Sequence, residues 1–167
     1  MPAKLEPIKL LPYWTKELKE EDKPFYTQCA KRILAFSIAW EGTITLTKQF
    51  RVIIAICNTD FKLLENFHTI AKLGHITPNK KINPTWKPQK IWIIDNFQEA
   101  FFFLCEVNDY MPCERKGKIA DLVIEFLNDR IQEHKQALAE HRKPKPHTER
   151  HHEIYREVKK LNKKGIQ

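Results

Sequence analysis

The sequence predicts an α+β domain in which helices cover one face of a four-stranded antiparallel sheet. Apolar residues recur at helical spacing in several segments, and segments with strand-like alternation lie between them in two adjacent pairs. The predicted order is helix–strand–strand–helix–strand–strand–helix–helix. Because the helices lie on one side of such a sheet, its opposite face stays open and is available to a ligand.

The first helix is predicted over Phe25–Glu41, with Pro24 at its entry. One buried stripe is indicated by apolar or small residues at the i, i+3, i+4, i+7 and i+8 positions: Ala30, Ile33, Leu34, Ser37 and Ile38. The next residue on this stripe is Glu41, and Gly42 then ends the helix as a C-terminal glycine. A charge that ends a buried stripe needs a partner such as a bound cation. The alternative is an ordinary helix with a solvated glutamate in its last turn.

The remaining elements follow from strand alternation, caps and helix breakers. The first hairpin has its turn near Lys48 and Gln49, and Gly74 ends the second helix. The predicted segments are the strands Thr43–Thr47 and Phe50–Cys57, the helix Phe61–Leu73, and the strands His75–Lys80 and Lys90–Ile94. Asn58, Thr59 and Asp60 offer caps for the helix Phe61–Leu73. Three helices follow: one that Asp95 and Asn96 cap and that runs to about Tyr110, then Lys116–Glu133 and Thr148–Leu161.

The length of 167 residues predicts one domain with a single core. We divide the chain into an N-terminal arm (1–24), a core (25–134) and a basic helical tail (135–167) that packs on the core or is appended to it. The four cysteines form no C-x-x-C pair, which favours an intracellular, reducing compartment (cytoplasm, nucleoid or organelle) over secretion. No apolar run reaches the length of a membrane span, so no membrane partner is expected.

The basic residues are concentrated in two parts of the chain. The formal net charge is +8. Residues 42–95 contain eight basic and three acidic side chains, and residues 135–167 contain ten and four, whereas residues 96–134 contain four and eight. Basic strands beside acidic helices are typical of a protein that holds nucleic acid on one face.

The segment Leu34–Ile44 resembles the signature helix of the LAGLIDADG homing endonucleases. The leading Leu-Ala, the isoleucine, the acid-glycine end and the small hydroxyl residue followed by isoleucine all match. Phe36 and Trp40 stand where the family usually has glycine and another small residue, so the contact between two such helices must differ here. The element order over Phe25–Arg130 is the αββαββα core of single-motif members. Supporting local matches are Asn58–Lys62, Leu73-Gly74, Arg115–Lys118 and Ala120–Val123.

This resemblance implies that two chains pair through their first helices and that their curved sheets form a saddle over double-stranded DNA. It implies an intron- or intein-encoded homing endonuclease that makes a double-strand break in a long, near-palindromic target. The cofactor would be Mg²⁺, with Mn²⁺ as a substitute and Ca²⁺ binding without cleavage. The dimer interface would comprise Ala35, Phe36, Ile38 and Ala39. The alternatives are an intron RNA maturase or a non-cleaving DNA-binding regulator on the same fold, and a monomeric basic RNA-binding domain.

Phosphodiester hydrolysis needs a cation, a positioned water and basic groups near the leaving group. Mg²⁺ is commonly held by one or two carboxylates together with substrate phosphates, so one Glu41 from each chain suffices. The resemblance adds the Trp40 carbonyl as a metal ligand. It assigns Asn58 and Lys62 to organising solvent, although Asn58 is equally a turn residue and Lys62 a solvated lysine. It places Lys116, which lies in the only dense basic cluster of the acidic segment, near the scissile phosphate.

Sequence-specific contacts are expected from the open face of the sheet in the major groove. Arg51 could contact guanine, Gln49 or Asn79 could contact adenine, and Lys80 or Lys81 could contact phosphate. The alternative is a solvated sheet face. The predicted DNA-binding residues are Thr43, Thr45, Thr47, Lys48, Gln49, Arg51, Thr77, Asn79, Lys80, Lys81, Lys90, Trp92 and Lys118.

Overall fold

The structure is a computed structural model that describes residues 17–80, 85 and 87–163. It confirms the predicted fold class: a four-stranded antiparallel sheet with five α-helices in the described part of the chain. In chain order the elements are α1 (Gln28–Trp40), β1 (Gly42–Leu46), β2 (Val52–Asn58), α2 (Phe61–Ala71), β3 (His75–Pro78), β4 (Lys90–Ile94), α3 (Phe97–Val107), α4 (Glu114–Ala139) and α5 (Glu149–Lys163). No helix in these ranges is long and apolar enough to cross a bilayer.

The strand order is β1-β2-β4-β3, so β1 and β3 are the two edge strands. Gly42 is opposite Ile56, and Ile54 is opposite both Ile44 and Ile94. Directly opposed residues share a face of the sheet, so the even-numbered positions of β1, β2 and β4 face the helices. The sheet side chains buried on that face are Ile44, Leu46, Val52, Ile54, Ile56, Trp92 and Ile94. The other face is the open face.

Several helix boundaries differ from the predicted ones. The second helix ends at Ala71 with Lys72 as its left-handed C-cap, so the prediction that Gly74 ends it is wrong. Helix α1 begins at Gln28 rather than Phe25, because the Thr27 hydroxyl accepts a hydrogen bond from the Ala30 amide at 3.2 Å and caps the helix there. Phe25 precedes the cap and is exposed. Helix α4 extends to Ala139, so the predicted boundary between core and tail falls inside this helix.

Gly42 does not end α1 as a left-handed glycine. Glu41 is the C-cap residue, with a φ of −107°, and Gly42 is already the first residue of β1. A Cβ atom on Gly42 would lie 2.8 Å from the Ile38 Cα. The residue is therefore required for a close approach, which lets β1 start against the last turn of α1 and fixes the position of Glu41.

Gly74 is the glycine whose replacement we expect to cost the most stability. Its φ is +74°, and an added Cβ would lie 2.3 Å from the Ile93 carbonyl oxygen of the neighbouring strand. We expect Gly74→Ala to lower the free energy of unfolding by about 3 kcal/mol, since left-handed strain and overpacking add. Urea unfolding measures this change.

The matched control for Gly74→Ala is Gly117→Ala in α4. There the nearest atom to an added Cβ is the Met111 Cβ at 3.9 Å, so nothing has to move. Alanine should stabilise that helix by up to about 1 kcal/mol. Equal effects of the two substitutions would contradict the placement of Gly74.

Helix α5 is attached to the core by a buried stripe and by an aromatic contact. His151, Ile154 and Val158 are buried along its inner side. Before the helix, the His147 ring stacks on the Phe50 ring with a centroid distance of 4.0 Å. Phe50 has a φ of +58°, and it links the turn of the β1–β2 hairpin to the segment that leads into α5.

The His147 contact predicts that the protein loses stability at mildly acidic pH. Burial, followed by the nearby positive charge of Arg130, lowers the pKa of His147 from 6.5 to about 4. Between these two values the unfolded chain binds the proton more readily, so the free energy of unfolding falls as the pH decreases from 6.5. Urea unfolding at pH values from about 7 to 5 measures this, above the range in which the paired carboxylates titrate.

His147→Phe is the control for this pH dependence, because phenylalanine keeps the ring stacking and cannot bind a proton. We expect the free energy of unfolding of the variant to fall less steeply with decreasing pH. The part of the fall that remains comes from His134, because burial also lowers the pKa of that residue. An identical decline in wild type and variant would contradict the assignment.

Candidate active site and nucleic-acid interface

Lys116 connects the start of α4 to the junction between α1 and β1. Its side chain is buried, with 6% exposure, and its Nζ donates a hydrogen bond to the Gly42 carbonyl oxygen at 2.7 Å. Burial, and then the neighbouring Arg115 charge, lower the pKa of Lys116. An ammonium group is therefore fixed at the residue that directly follows Glu41.

Glu41 lies at the C-terminal end of α1, and its backbone N–H donates to the carbonyls of Ile38 and Ser37. The prediction that this acid ends a buried stripe is wrong, because the side chain is exposed. Within residues 17–80, 85 and 87–163, no hydrogen bond or ion pair engages its carboxylate. The end of a helix also carries partial negative charge from its last carbonyls, which favours a cation at this point.

Asn58 and Lys62 lie at the same end of the sheet as Glu41. Asn58 is two residues beyond Ile56, the partner of Gly42, so it is about 5 Å across and 7 Å along the sheet from Gly42. Its Oδ1 accepts a hydrogen bond from the Asp60 amide at 2.9 Å and forms a turn before α2. Lys62 is exposed, and its Nζ is 3.5 Å from the Glu65 carboxylate. The structure thus shows Asn58 as a turn residue and Lys62 as a solvated lysine, the two alternatives to a solvent-organising role.

The residues at this end of the sheet fit a cation shared with a substrate, not a protein-only metal cage. No cluster of three or more His, Cys, Asp or Glu side chains exists among the residues that the structure describes. What the chain offers is the accessible Glu41 carboxylate and the carbonyl of Trp40, the last residue of α1. Mg²⁺ is commonly held by one or two carboxylates with substrate phosphates and waters completing the shell.

The open face of the sheet carries polar residues around an apolar centre. Thr43, Thr45 and Arg51 lie on its β1–β2 side by strand alternation, and Thr77 lies on β3 opposite Ile91. Thr47, Lys48 and Gln49 form the hairpin turn between β1 and β2. The centre of the face consists of Ile53, Ala55, Ile91 and Ile93. This apolar centre was not predicted from the sequence. The signal for it is that β2 and β4 are apolar at consecutive positions instead of alternating between apolar and polar residues.

Two residues predicted on the open face lie on the helix side of the sheet, a third has its amide already hydrogen-bonded, and Lys118 lies away from the sheet. Trp92 is fully buried on the helix side, where its Nε1 donates to the Leu73 carbonyl at 3.0 Å. Lys90 shares that side, and its Nζ lies 4.5 Å from the Phe61 ring centroid. The Asn79 amide donates to Gln89 Oε1 and Cys57 Sγ. Lys118 lies in a groove between α4 and α5.

Two further predicted contacts concern the loop before β4. Lys80 is exposed, and no carboxylate pairs with it within the described ranges. Lys81 lies outside the described residues. Of the predicted surface, the structure thus brings together the β1–β2 hairpin residues and Thr77 on one side of the sheet.

Several solved structures with this arrangement are of nucleases in complex with DNA. The homing endonuclease I-CvuI, in complex with the I-CreI target and Mg, matches with a TM-score of 0.53 at 15% identity, over 81% of this chain and 96% of that one. The archaeal intron-encoded homing endonuclease I-Vdi141I with DNA matches with a TM-score of 0.50 at 15% identity, over 79% and 96%. The fold is that of the LAGLIDADG homing endonucleases.

A longer protein, the meganuclease I-SmaMI bound to uncleaveable DNA, matches with a TM-score of 0.51 at 17% identity, over 82% of this chain and 44% of that one. Neither a protein-family model nor a curated protein sequence matches the chain. The likeness to the LAGLIDADG homing endonucleases is therefore a likeness of fold.

Within this LAGLIDADG fold, the exposed side of α1 differs from the predicted dimer interface. Ala35 and Ile38 are fully buried in the core of their own chain, so they cannot contact a second chain. Ala39 is half-buried, and Phe36 is 48% exposed. The apolar residues that α1 presents to solvent are Ile33, Phe36 and Trp40. Their i, i+3, i+7 spacing forms one stripe, here called the α1 stripe.

Proposed function

We propose that the chain is a homodimeric, Mg²⁺-dependent, site-specific DNA endonuclease encoded within an intron or intein. The proposal rests on one observation. An accessible carboxylate, Glu41, and a buried ammonium group, Lys116, lie near each other at one end of the sheet of a LAGLIDADG fold. A carboxylate that binds a cation and an ammonium group close by are the groups needed to neutralise charge on a phosphodiester.

Each residue contributes a separate step in this proposal. Glu41 and the Trp40 carbonyl would hold the divalent cation, which would supply Lewis acidity at the scissile phosphate. Lys116 is pre-positioned by Gly42 and stabilises the negative charge that develops on the phosphate. Asn58 and Lys62 border the site and order solvent. Mn²⁺ substitutes for Mg²⁺, and Ca²⁺ supports binding only.

We assign target recognition to the open face of the sheet. Lys48 and Arg51 have no carboxylate partner in the described part of the chain, which leaves them free to contact phosphates and guanine. The aliphatic centre of the face offers no hydrogen bonds, but it can contact thymine methyl groups. We also assign the chain to a reducing intracellular compartment, because its four cysteines form no C-x-x-C pair.

The α1 stripe supports the homodimer part of the proposal. Three large apolar side chains on one helix are costly to leave in water and are typical of a protein interface. One open sheet with one Glu41 can serve one strand of DNA, so cutting both strands requires a second copy. Phe36 and Trp40 in place of small residues imply that the two helices pack through aromatic rings at a wider separation.

We expect Phe36→Glu to convert a dimer into a monomer and to reduce double-strand cleavage at least about a hundredfold, because a charge at an apolar interface is strongly destabilising. Sedimentation equilibrium and a plasmid assay measure the two effects. Leu138→Glu is the control, since Leu138 is similarly exposed, at 53%, but lies on α4. A wild-type monomer, or a dimer that survives Phe36→Glu, would contradict this interface.

The function is tested with a plasmid library of fragments from related genomes in which the host gene is uninterrupted, because the encoding intron or intein would split the target in its own genome. Incubation with Mg²⁺ and sequencing of the new ends should reveal breaks at one recurring, near-palindromic site. Breaks that also recur with Ca²⁺ would contradict the cofactor assignment. Strong duplex binding without any break in Mg²⁺ or Mn²⁺ would overturn the enzyme proposal in favour of a non-cleaving regulator, and preferential binding of intron RNA would favour a maturase.

A further inference from the structure

A groove runs along the free edge of β1, between that strand and α5. One wall contains the open-face residues Thr43 and Thr45, and the hairpin turn adds Thr47 and Lys48. The other wall comes from α5 and contains Tyr155, Val158, Lys159, Asn162 and Lys163. Because Thr43 and Thr45 belong to both, the groove is a lateral continuation of the open face.

The groove is held in shape by specific contacts. Asn162 Nδ2 donates a hydrogen bond to the Ile44 carbonyl at 3.0 Å, and Val158 is buried in the core. Ile44 and Gly42 lie on the same strand edge, about 7 Å apart, so Asn162 follows Lys116 along this edge. The C-terminal end of α5 is thus positioned beside the candidate cleavage centre.

The basic residues in the two halves of α5 differ in whether they form ion pairs. The arginines of the first half are neutralised, since Arg150 pairs with Glu125 and Glu153, and Arg156 pairs with Glu149. Lys159 and Lys163 are four residues apart, lie on the same side of the helix, and have no carboxylate partner in the described ranges. The Lys159 Nζ donates a hydrogen bond to the Tyr155 hydroxyl at 3.4 Å, which orients the lysine side chain.

We propose that this groove binds the DNA phosphate backbone beside the cleavage centre, with Lys159 and Lys163 as its principal phosphate ligands. The inference rests on the proposed function and adds α5 to the DNA interface. Free ammonium groups opposite threonine hydroxyls are complementary to a row of phosphate oxygens. Lys160 lies in a different groove, with Glu157 and Lys118, and takes no part in this contact.

The test is the salt dependence of binding to a fluorescent DNA duplex of arbitrary sequence, measured with the full chain in EDTA. In Lys159→Ala/Lys163→Ala, the plot of log affinity against log salt concentration should become shallower by about 2 for each bound chain, since each phosphate contact contributes a slope of about 0.9. Lys160→Ala should keep the wild-type slope. Lys159→Arg/Lys163→Arg should also keep it, because the positive charges are retained, and urea unfolding of the double alanine variant checks that it is folded.

A wild-type slope in the double alanine variant, or an equal reduction in Lys160→Ala, would overturn the groove assignment. This failure is distinct from a failure of the proposed function. If the double alanine variant shows the predicted shallower slope but the wild-type chain never cuts DNA, the endonuclease proposal is refuted and the groove assignment stands. Wild-type chain that does not bind duplex DNA would overturn both.

Discussion

Glu41→Gln is expected to abolish DNA cleavage while leaving the fold and the affinity for DNA almost unchanged. Glutamine is nearly isosteric but loses the negative charge that attracts a divalent cation, so the rate should fall by about a thousandfold or more. The side chain is exposed, and no contact within the described residues holds it, so the free energy of unfolding should change by less than about 0.5 kcal/mol. Plasmid cleavage, urea unfolding and DNA binding in Ca²⁺ provide the three readouts.

The control for this substitution is Asp109→Asn, which makes the same chemical change at another exposed carboxylate. Asp109 lies in the short 3-10 helix after α3. It should retain full cleavage. If Glu41→Gln cuts as fast as Asp109→Asn, the active site lies elsewhere in the molecule.

Lys116→Met is the second substitution with a large expected effect. It keeps most of the side-chain volume but removes the ammonium group next to Glu41, so cleavage should fall about a hundred- to a thousandfold. Its effect on stability should be small, within about 1 kcal/mol. The substitution relieves the cost of burying a charge but leaves the Gly42 carbonyl without its donor.

Lys118→Met is the comparison for Lys116→Met, because the two lysines lie two residues apart on α4. Lys118 is exposed in the groove beside α5, and its replacement should change the cleavage rate less than about threefold. Thermal unfolding of both variants separates a catalytic effect from a structural one. Loss of cleavage in Lys116→Met together with loss of the fold, while Lys118→Met stays active, would assign Lys116 a structural role.

The element order and the open sheet face could be predicted from the sequence because local signals agree with the tertiary structure. The caps at Asp60 and Asn96 and the turn at Lys48 mark boundaries directly, and the structure reproduces them. The proximity of Lys116 to Glu41 came from the family resemblance alone. No periodicity relates two residues that are far apart in sequence and meet only through tertiary contacts.

The errors concern residues whose orientation depends on neighbouring elements. Trp92 and Lys90 were placed on the open face because β4 is apolar on both faces and offers no alternation to follow. Ala35 and Ile38 were assigned to the dimer interface, but α1 turns that side towards its own sheet. The neutralised arginines of α5 and its free lysines look alike in the sequence, because the side-chain packing of the folded chain decides which basic residues meet Glu125 of α4 or Glu149 and Glu153 of α5.

Mixed dimers of wild-type and Glu41→Gln protomers would test the central claim most directly, using supercoiled plasmid that carries the target found in the library screen. If each protomer supplies one Glu41 for one strand, a purified mixed dimer converts the plasmid to the nicked circle in Mg²⁺ and forms almost no linear product. Linear product at the wild-type rate from the mixed dimer would contradict the claim that each strand is cut by its own Glu41.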